Sequence, residues 1–285
     1  MSNAEFQARI ARLFVYPVKS CPGVEVREAV LTEAGLDLDR AWMVVDEEGE
    51  FVSQRELPRM ALVRPALKLH EVILRAPGML ALHLSIEAVE EPVRVRVWND
   101  EVAAYDMGDI AAQWFTDFLG RKLRLARFDP EHRRLSNLKW TGGLGAPNQF
   151  SDGYPLLLAS EGSVEGLNAR LAKAGHGPVG IERFRPNIVL AGVEAHDEDR
   201  VEQLRISADG PVALKLVKPC PRCPIPNIDP ATAESDPAVT DVLQAYRQDP
   251  RVDGAVTFGM NAIVLEGDEQ VLRVGQAVTG EWQFA

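Results

Sequence analysis

Alternation of apolar and polar residues dominates the first part of the chain and predicts β-strands. Residues 9–20, RIARLFVYPVKS, are rich in β-forming residues, and residues 93–107, VRVRVWNDEVAAYDM, come close to strict alternation. Two apolar runs in residues 41–54, AWMVVDEEGEFVSQ, flank an acidic glycine turn, which is typical of a β-hairpin. We therefore expect residues 5–128 to form a small β-rich domain.

A helical period replaces this alternation near residue 109. Apolar residues then recur every three to four positions, with Asp109 as the predicted N-cap and Gly120 as the stop. Residues 129–150 follow, DPEHRRLSNLKWTGGLGAPNQF, which are rich in glycine, proline and charge. We interpret this segment as a linker and active-site loop between two domains, because connections of this length are often functional or mobile.

The second half, residues 151–285, is predicted to form another domain. A buried strand in YPLLLAS leads into a helix that Ser160 caps and Gly175 ends, and a second helix begins after Asp236-Pro237. The remaining segments favour strands, and the last of them are placed to close a barrel. The expected fold is mainly β with α+β elements: an N-terminal β-barrel-like domain and a second β-barrel domain with flanking helices.

Composition and charge exclude several classes of protein. The 285 residues are 46% hydrophobic and 26% charged, and no apolar run approaches the roughly 18 residues that span a bilayer. The formal net charge of −11 argues against general binding to nucleic acid or to an anionic membrane. Because the N-terminus has no long apolar run before a cleavage site, we expect a soluble cytoplasmic protein.

The most reactive segment is KPCPRCPIPNIDP, residues 218–230, in which prolines exclude a regular helix around Cys220 and Cys223. With Cys21 the chain has three cysteines, which do not form a disulfide framework. A structural zinc site lacks matching ligands, and a thioredoxin-like dithiol would need a helix N-terminus. Two interpretations stay open at this point: small buried side chains, or a thiolate ligand to a soft metal, with Arg222 favouring the ionised form.

Several segments together resemble the MOSC family, especially members with an added N-terminal β-barrel domain such as the mitochondrial amidoxime reducing component and its bacterial relatives. The matching segments are YPVKSCPG, GLDLDRAWMVVDEEGEFVSQRELPRMALV, DGYPLLLASEGSVEGLN, FRPNIVL, KPCPRCPIPNIDP and FGMN. The resemblance covers nearly the whole chain and implies that the protein binds a molybdenum cofactor, a metal held by a pterin dithiolene. It implies that Cys223 is the metal ligand and the catalytic residue.

The same resemblance supplies most of the predicted cofactor-binding residues. They are Lys19, Ser20, Arg40, Arg185, Asn187 and Asn261, with Arg55 as a weaker candidate. Arg222 is included because its positive charge lies between the two cysteines. Ser160 is added because the N-terminus of a helix attracts anions. Three of these residues have simpler interpretations: Arg40 could pair with Asp37 or Asp39, Ser160 could only cap its helix, and Asn187 could bond local backbone.

The resemblance also implies an activity, the reduction of small N-hydroxylated compounds by oxygen-atom transfer. The chain carries no ferredoxin-like cysteine cluster, so we expect electrons from a separate protein: a ferredoxin- or cytochrome b5-like carrier, or a flavin reductase. The alternative is a carrier of the molybdenum cofactor or a sulfurase-like sulfur-transfer module. A third possibility, a scaffold that has lost the cofactor, conflicts with the presence of Lys19, Arg40, Arg185 and Cys223.

Overall fold

The computed structural model describes residues 5–283. Residues 1–4 and 284–285 lie outside this range, and with them the predicted domain end at residue 285 and the first residues of the N-terminal segment. In the described part of the chain, no helix is long and apolar enough to cross a membrane. The prediction of a cytoplasmic location stays a prediction.

The first half of the chain is built mainly from short strands. In chain order its strands and helix are β1 (Phe6–Val15), β2 (Val24–Val26), β3 (Glu28–Thr32), β4 (Gly35–Leu36), β5 (Trp42–Val45), β6 (Arg64–Leu67), β7 (Glu71–Arg75), β8 (Leu82–Ser85), β9 (Pro92–Val97), β10 (Asp100–Asp106), α1 (Gly108–Leu119) and β11 (Arg124–Phe128).

The second half adds longer strands and three helices. They are α2 (Leu138–Thr141), β12 (Leu156–Ser160), α3 (Glu161–Lys173), β13 (Ile188–Ala191), β14 (Val201–Ser207), β15 (Pro211–Pro221), α4 (Ala238–Gln244), β16 (Gln248–Asp249), β17 (Ala255–Glu266), β18 (Val271–Arg273) and β19 (Ala277–Trp282).

Seven strands close into a barrel in the order β12, β13, β1, β19, β14, β15, β17, and β17 pairs with β12 to complete the circle. All of these pairs are antiparallel except β12 with β13. Apolar side chains from all seven strands fill the interior, where they are almost completely removed from water. The predicted fold class, mainly β with barrel architecture and few helices, is confirmed.

Strand β1 is the first strand of the chain but belongs to the barrel that the strands of the second half form. It lies within residues 5–128, which the sequence assigned to the first domain, yet it pairs with β13 and β19 of the closed barrel. Phe6 faces Gly280 across this pairing. The predicted boundaries at residues 128 and 150 remain a proposal, because β1 links the two halves of the chain through one sheet.

Strand β2 pairs with β1, and β3 and β4 form a small sheet with β18. The other strands of the first half form two further sheets around a separate core. One sheet has the order β5, β11, β10, β9, and the other has the order β6, β7, β8. Helix α1 places Trp114, Phe115 and Phe118 in the core between them, together with Trp42 of β5. Asp109 lies in the first turn of α1 and pairs with Arg124, so the predicted N-cap is wrong; Met107 occupies that position.

The linker is fixed by one buried arginine. Arg134 is 6% exposed, donates hydrogen bonds to Asn148 Oδ1 (2.6 Å) and to the carbonyls of Gln149 (2.8 Å) and Ser151 (2.7 Å), and pairs with Asp100. These bonds satisfy the backbone of a segment with little regular structure, as a buried loop requires. The linker therefore holds the residues that follow it, 151–154, in a defined position.

Candidate functional site

One cavity collects polar side chains from both halves of the chain. Its wall includes all the predicted site residues except Ser160, namely Lys19, Ser20, Arg40, Arg185, Asn187, Arg222, Cys223 and Asn261. Lys19 and Ser20 follow β1, whereas Cys223 and Asn261 lie after β15 and in β17. Tertiary folding thus brings together residues more than 200 positions apart.

The backbone is strained at three of these residues. Ser20, Arg40 and Arg185 have φ values of 65°, 54° and 60°, in the left-handed region that residues with a Cβ rarely adopt. Each such residue costs about 1–3 kcal/mol and persists only where surrounding contacts fix it, which is common at ligand sites. Ser20 and Arg40 lie in turns, Arg185 directly follows the short 3-10 helix Ile181–Phe184, and all three side chains line the cavity.

Two of the arginines share an aromatic neighbour. The guanidinium carbon of Arg40 lies 4.3 Å from the ring centroid of Tyr16, and that of Arg185 lies 4.5 Å from it. Tyr16 is itself buried and donates through its hydroxyl to the carbonyl of Pro186 at 3.1 Å. Burial and the neighbouring Arg40 lower the pKa of Arg185, which indicates that two like charges are held close together. An anion in the cavity would relieve that repulsion.

The simpler interpretation of Arg40 holds, whereas that of Asn187 does not, because the backbone groups that Asn187 bonds are distant in the sequence. Arg40 pairs with the buried carboxylate of Asp39, and it also donates to Asn187 Oδ1 at 3.0 Å and to the Arg185 carbonyl at 3.2 Å. Asn187 bonds the backbone of Leu157 (3.1 Å) and of Phe14 (3.2 Å). Because these two side chains also line the cavity, these bonds orient them there.

Lys19 places a buried ammonium group in the cavity wall. It is 5% exposed and donates to the carbonyl of Phe150 at 2.7 Å and to Asp152 Oδ1 at 2.5 Å. Burial lowers the pKa of Lys19, and Asp152 opposes that effect. Asp152 is the one acidic residue in the described cavity wall. The same wall contains five basic residues, Lys19, Arg40, Arg55, Arg185 and Arg222.

The cysteines differ in their surroundings. Cys220 and Cys223 are half-buried at the cavity, whereas Cys21 is fully buried, and burial raises the pKa of its thiol to about 12. The guanidinium of Arg222 donates to the sulfur of Cys220 at 3.1 Å. If Arg222 activated the metal ligand, it would instead contact the sulfur of Cys223. Within residues 5–283, no hydrogen bond engages the sulfur of Cys223, so it is free to bind a ligand in the cavity.

This chemistry fits a molybdenum cofactor. Among the residues that the structure describes, no three His, Cys, Asp or Glu side chains converge on a point where they could hold a metal ion by themselves. A metal at Cys223 would therefore take its other ligands from an organic group, and sulfur is the donor that soft metals prefer. The excess of cations over carboxylates in the wall suits the phosphate of such a group.

The structure places Ser160 outside the cavity and corrects its predicted role. Its hydroxyl accepts from the amide of Ser163 at 3.1 Å, which is the predicted N-cap of α3. Both serine hydroxyls also contact the buried carboxyl group of Glu198, at 2.9 Å from Ser160 and 2.6 Å from Ser163. The sequence predicted the helix N-terminus, but it did not indicate that the carboxyl group of Glu198, from a distant turn, occupies that position.

The two serines and Glu198 form a ring of three oxygen–oxygen contacts, since the serine hydroxyls are 2.7 Å apart. Two serine protons cannot supply three hydrogen bonds, so a protonated carboxyl group completes the ring. Burial, and then the nearby Asp199, raise the pKa of Glu198 to about 7 from 4.5. The folded state therefore favours the protonated form, and Glu198 lowers stability increasingly as the pH rises from 4.5 to about 7.

We expect Glu198→Gln to stabilise the protein above pH 7, by up to about 3 kcal/mol, and to change little below pH 4.5. The amide can complete the ring without ionising. Urea unfolding of both proteins between pH 4 and 8 measures the difference. Burial also lowers the pKa of nearby His196 to about 3, but both proteins share that effect. A pH-independent difference would contradict the prediction.

Sequence reasoning missed several residues of the wall. Phe51, Asp152 and Tyr154 line the cavity, and Tyr16 supports it from behind. Tyr16, Asp152 and Tyr154 lie within segments quoted for the family resemblance, which was the available signal. Their roles depend on contacts such as Lys19 with Asp152, which join residues 133 positions apart.

Comparison with known proteins gives matches over most of the chain. Residues 7–122 match the family described as MOSC N-terminal beta barrel domain, and residues 146–279 match the MOSC domain. Mitochondrial amidoxime reducing component 2 of Rattus norvegicus is 35% identical over 288 residues, covering 94% of this chain and 82% of that protein. Mitochondrial amidoxime-reducing component 1 of Homo sapiens is 37% identical over 252 residues, covering 84% and 72%. Molybdenum cofactor sulfurase of Bos taurus is 29% identical over 260 residues, covering 84% of this chain and 29% of that protein.

Proposed function

This chain belongs to the MOSC family, among members with an N-terminal MOSC barrel domain, and from that premise we propose that it is a molybdenum-dependent reductase of N-hydroxylated compounds. Relatives named amidoxime reducing components support a reductive activity on compounds that carry an N–OH group. The protein would receive its electrons from a separate donor, either a ferredoxin- or cytochrome b5-like protein or a flavin reductase.

The observation that carries the proposal is a cavity in which a cysteine sulfur without a hydrogen bond to any described residue lies in the same wall as five cationic side chains, of which Lys19 is buried. In a chain of net charge −11, five basic side chains and one carboxylate line this wall. Such a local reversal of charge is expected where a protein binds an anion, here the phosphate of the cofactor.

Some residues of the cavity wall would bind the cofactor, and others orient the side chains that bind it. Arg40 and Arg185, fixed on Tyr16, would bind the anionic part of the cofactor, and Cys223 would ligate its metal. Desolvation raises the pKa of Asp152, but Lys19, Arg55 and the Trp98 indole together lower it by more, so this carboxylate stays ionised and orients Lys19. When bound, the cofactor supplies two-electron oxygen-atom chemistry.

A carrier of the cofactor is the second candidate, favoured by the similarity to a molybdenum cofactor sulfurase. In such a role Cys220 or Cys223 would carry sulfur, and the protein would bind and release the cofactor without turnover.

The test is the molybdenum and pterin content of the full-length protein, purified from a host that makes the cofactor, with turnover of hydroxylamine and of an amidoxime by reduced viologen. Near-stoichiometric metal with turnover would support the reductase. Bound metal without turnover would favour the carrier. Absence of both metal and pterin would reject the proposed function.

A further inference from the structure

The hairpin that joins β9 to β10 carries a tryptophan in an unusual place. Trp98 is the first residue after β9, and its φ of 56° lies in the left-handed region. Hairpin turns usually have glycine, asparagine or aspartate there, because a bulky side chain is strained in this conformation. Trp98 is also 46% exposed, so burial of the ring in a core does not explain the strain.

Contacts with the cavity wall hold Trp98 in this position. Its ring centroid lies 4.8 Å from that of Phe51 in an edge-to-face arrangement, and the Arg55 guanidinium carbon lies 4.7 Å from the Trp98 ring. The indole nitrogen donates to Asp152 Oδ1 at 3.3 Å. Phe51, Arg55 and Asp152 all line the cavity, so Trp98 stands at its mouth.

These contacts have a consequence for what enters the cavity. Phe51 lines the cavity, and Trp98 packs against it with 46% of its own area open to solvent, so the two rings form one aromatic surface. A strained residue fixed by several partners is common at ligand clamps. Aromatic rings favour edge-to-face or offset contact with other flat rings.

We propose that Trp98 and Phe51 form an aromatic wall that selects substrates carrying a flat aromatic group next to the reacting N–OH. This inference rests on the proposed function and deepens it, because it names the part of the substrate that the protein recognises. Trp98 determines specificity and is not a catalytic residue: it contacts the wall and lies outside the set of residues that would hold the cofactor.

The test compares benzamidoxime with hydroxylamine, which has no organic group. In Trp98→Gly, which also relieves the backbone strain, we expect KM for benzamidoxime to rise roughly 3- to 10-fold while kcat and the kinetics with hydroxylamine stay unchanged. Trp98→Phe should keep most of the preference. The matched control is Leu69→Gly, because Leu69 is also an apolar residue in a hairpin turn and is 86% exposed. This variant should leave KM and kcat unchanged for both substrates.

Calorimetric binding of benzamidoxime provides a readout without turnover. A 3- to 10-fold weaker Kd in Trp98→Gly, with a thermal unfolding midpoint no lower than that of the wild type, supports the wall even in protein that shows no turnover. If Trp98→Gly weakens benzamidoxime binding but the wild-type protein shows no turnover, the reductase function is rejected and the aromatic wall is retained. Equal losses for both substrates, or equal binding by wild type and Trp98→Gly, would overturn the inference.

Discussion

Cys223→Ser is expected to abolish molybdenum binding, with a loss of turnover greater than about 100-fold. Changes to residues behind a metal ligand already cost about 10- to 100-fold in affinity or activity, and a serine hydroxyl is a much poorer ligand for a soft metal than a thiolate. Metal content by mass spectrometry and amidoxime turnover with reduced viologen measure the two effects.

Cys220→Ser is the matched control, because both thiols are half-buried at the same cavity and three positions apart. A serine hydroxyl can still accept the hydrogen bond that Arg222 donates to Cys220. We therefore expect near-normal metal content and turnover in this variant. Equal loss in both variants would show that the segment, and not one sulfur, is needed, and would contradict the assignment of Cys223.

Arg40→Met is expected to lower the free energy of unfolding by about 3–5 kcal/mol near neutral pH, because it leaves a buried carboxylate without its partner. The side chains of Arg40 and Asp39 are 12% and 2% exposed, and Arg40 also bonds Asn187 and the Arg185 carbonyl. Burial raises the pKa of Asp39, and the loss of Arg40 would raise it further. The loss should therefore shrink as the pH falls, because Asp39 is then protonated in the folded state of both proteins and carries no charge for Arg40 to pair.

Urea unfolding at several pH values measures this effect, and two further variants separate its causes. Arg12→Met breaks the exposed pair with Glu25 and should cost less than about 1 kcal/mol. The double variant Asp39→Asn with Arg40→Met should recover much of the stability, because no buried charge is left unpaired. If Arg40 binds the cofactor, that folded double variant should still contain little molybdenum. Normal metal content in it would restrict Arg40 to a structural role.

The local pattern of the sequence determined the elements whose signals lie within a few residues. The apolar stripe after Ser160 and the glycine at residue 175 predicted α3, and the structure has it at Glu161–Lys173 with Ser160 as its cap. Prolines around Cys220 and Cys223 predicted an extended or turned segment, and β15 ends there at Pro221. These features depend on side-chain period and backbone restriction, which sequence alone specifies.

Other features depended on partners far along the chain. The cap of α3 was predicted, but the carboxyl group of Glu198 on the same hydroxyls was not, and it removed Ser160 from the candidate site. The family resemblance named Arg40, Arg185 and Cys223, yet it did not show that Tyr16 holds the two arginines together. Trp98 carried no signal in the sequence beyond strand alternation.

The sequence by itself determined the kind of fold, the strong local elements and the residues that the family resemblance could name. Only the tertiary structure decided that β1 closes the barrel of the second half, that Lys19 meets Asp152, and that the hairpin turn of Trp98 reaches the cavity. The physical reason is that strand pairing and side-chain bonds between distant residues are selected by the packing of the whole chain. A local pattern of apolar and polar residues specifies which face of a strand is buried, but not which partner it meets.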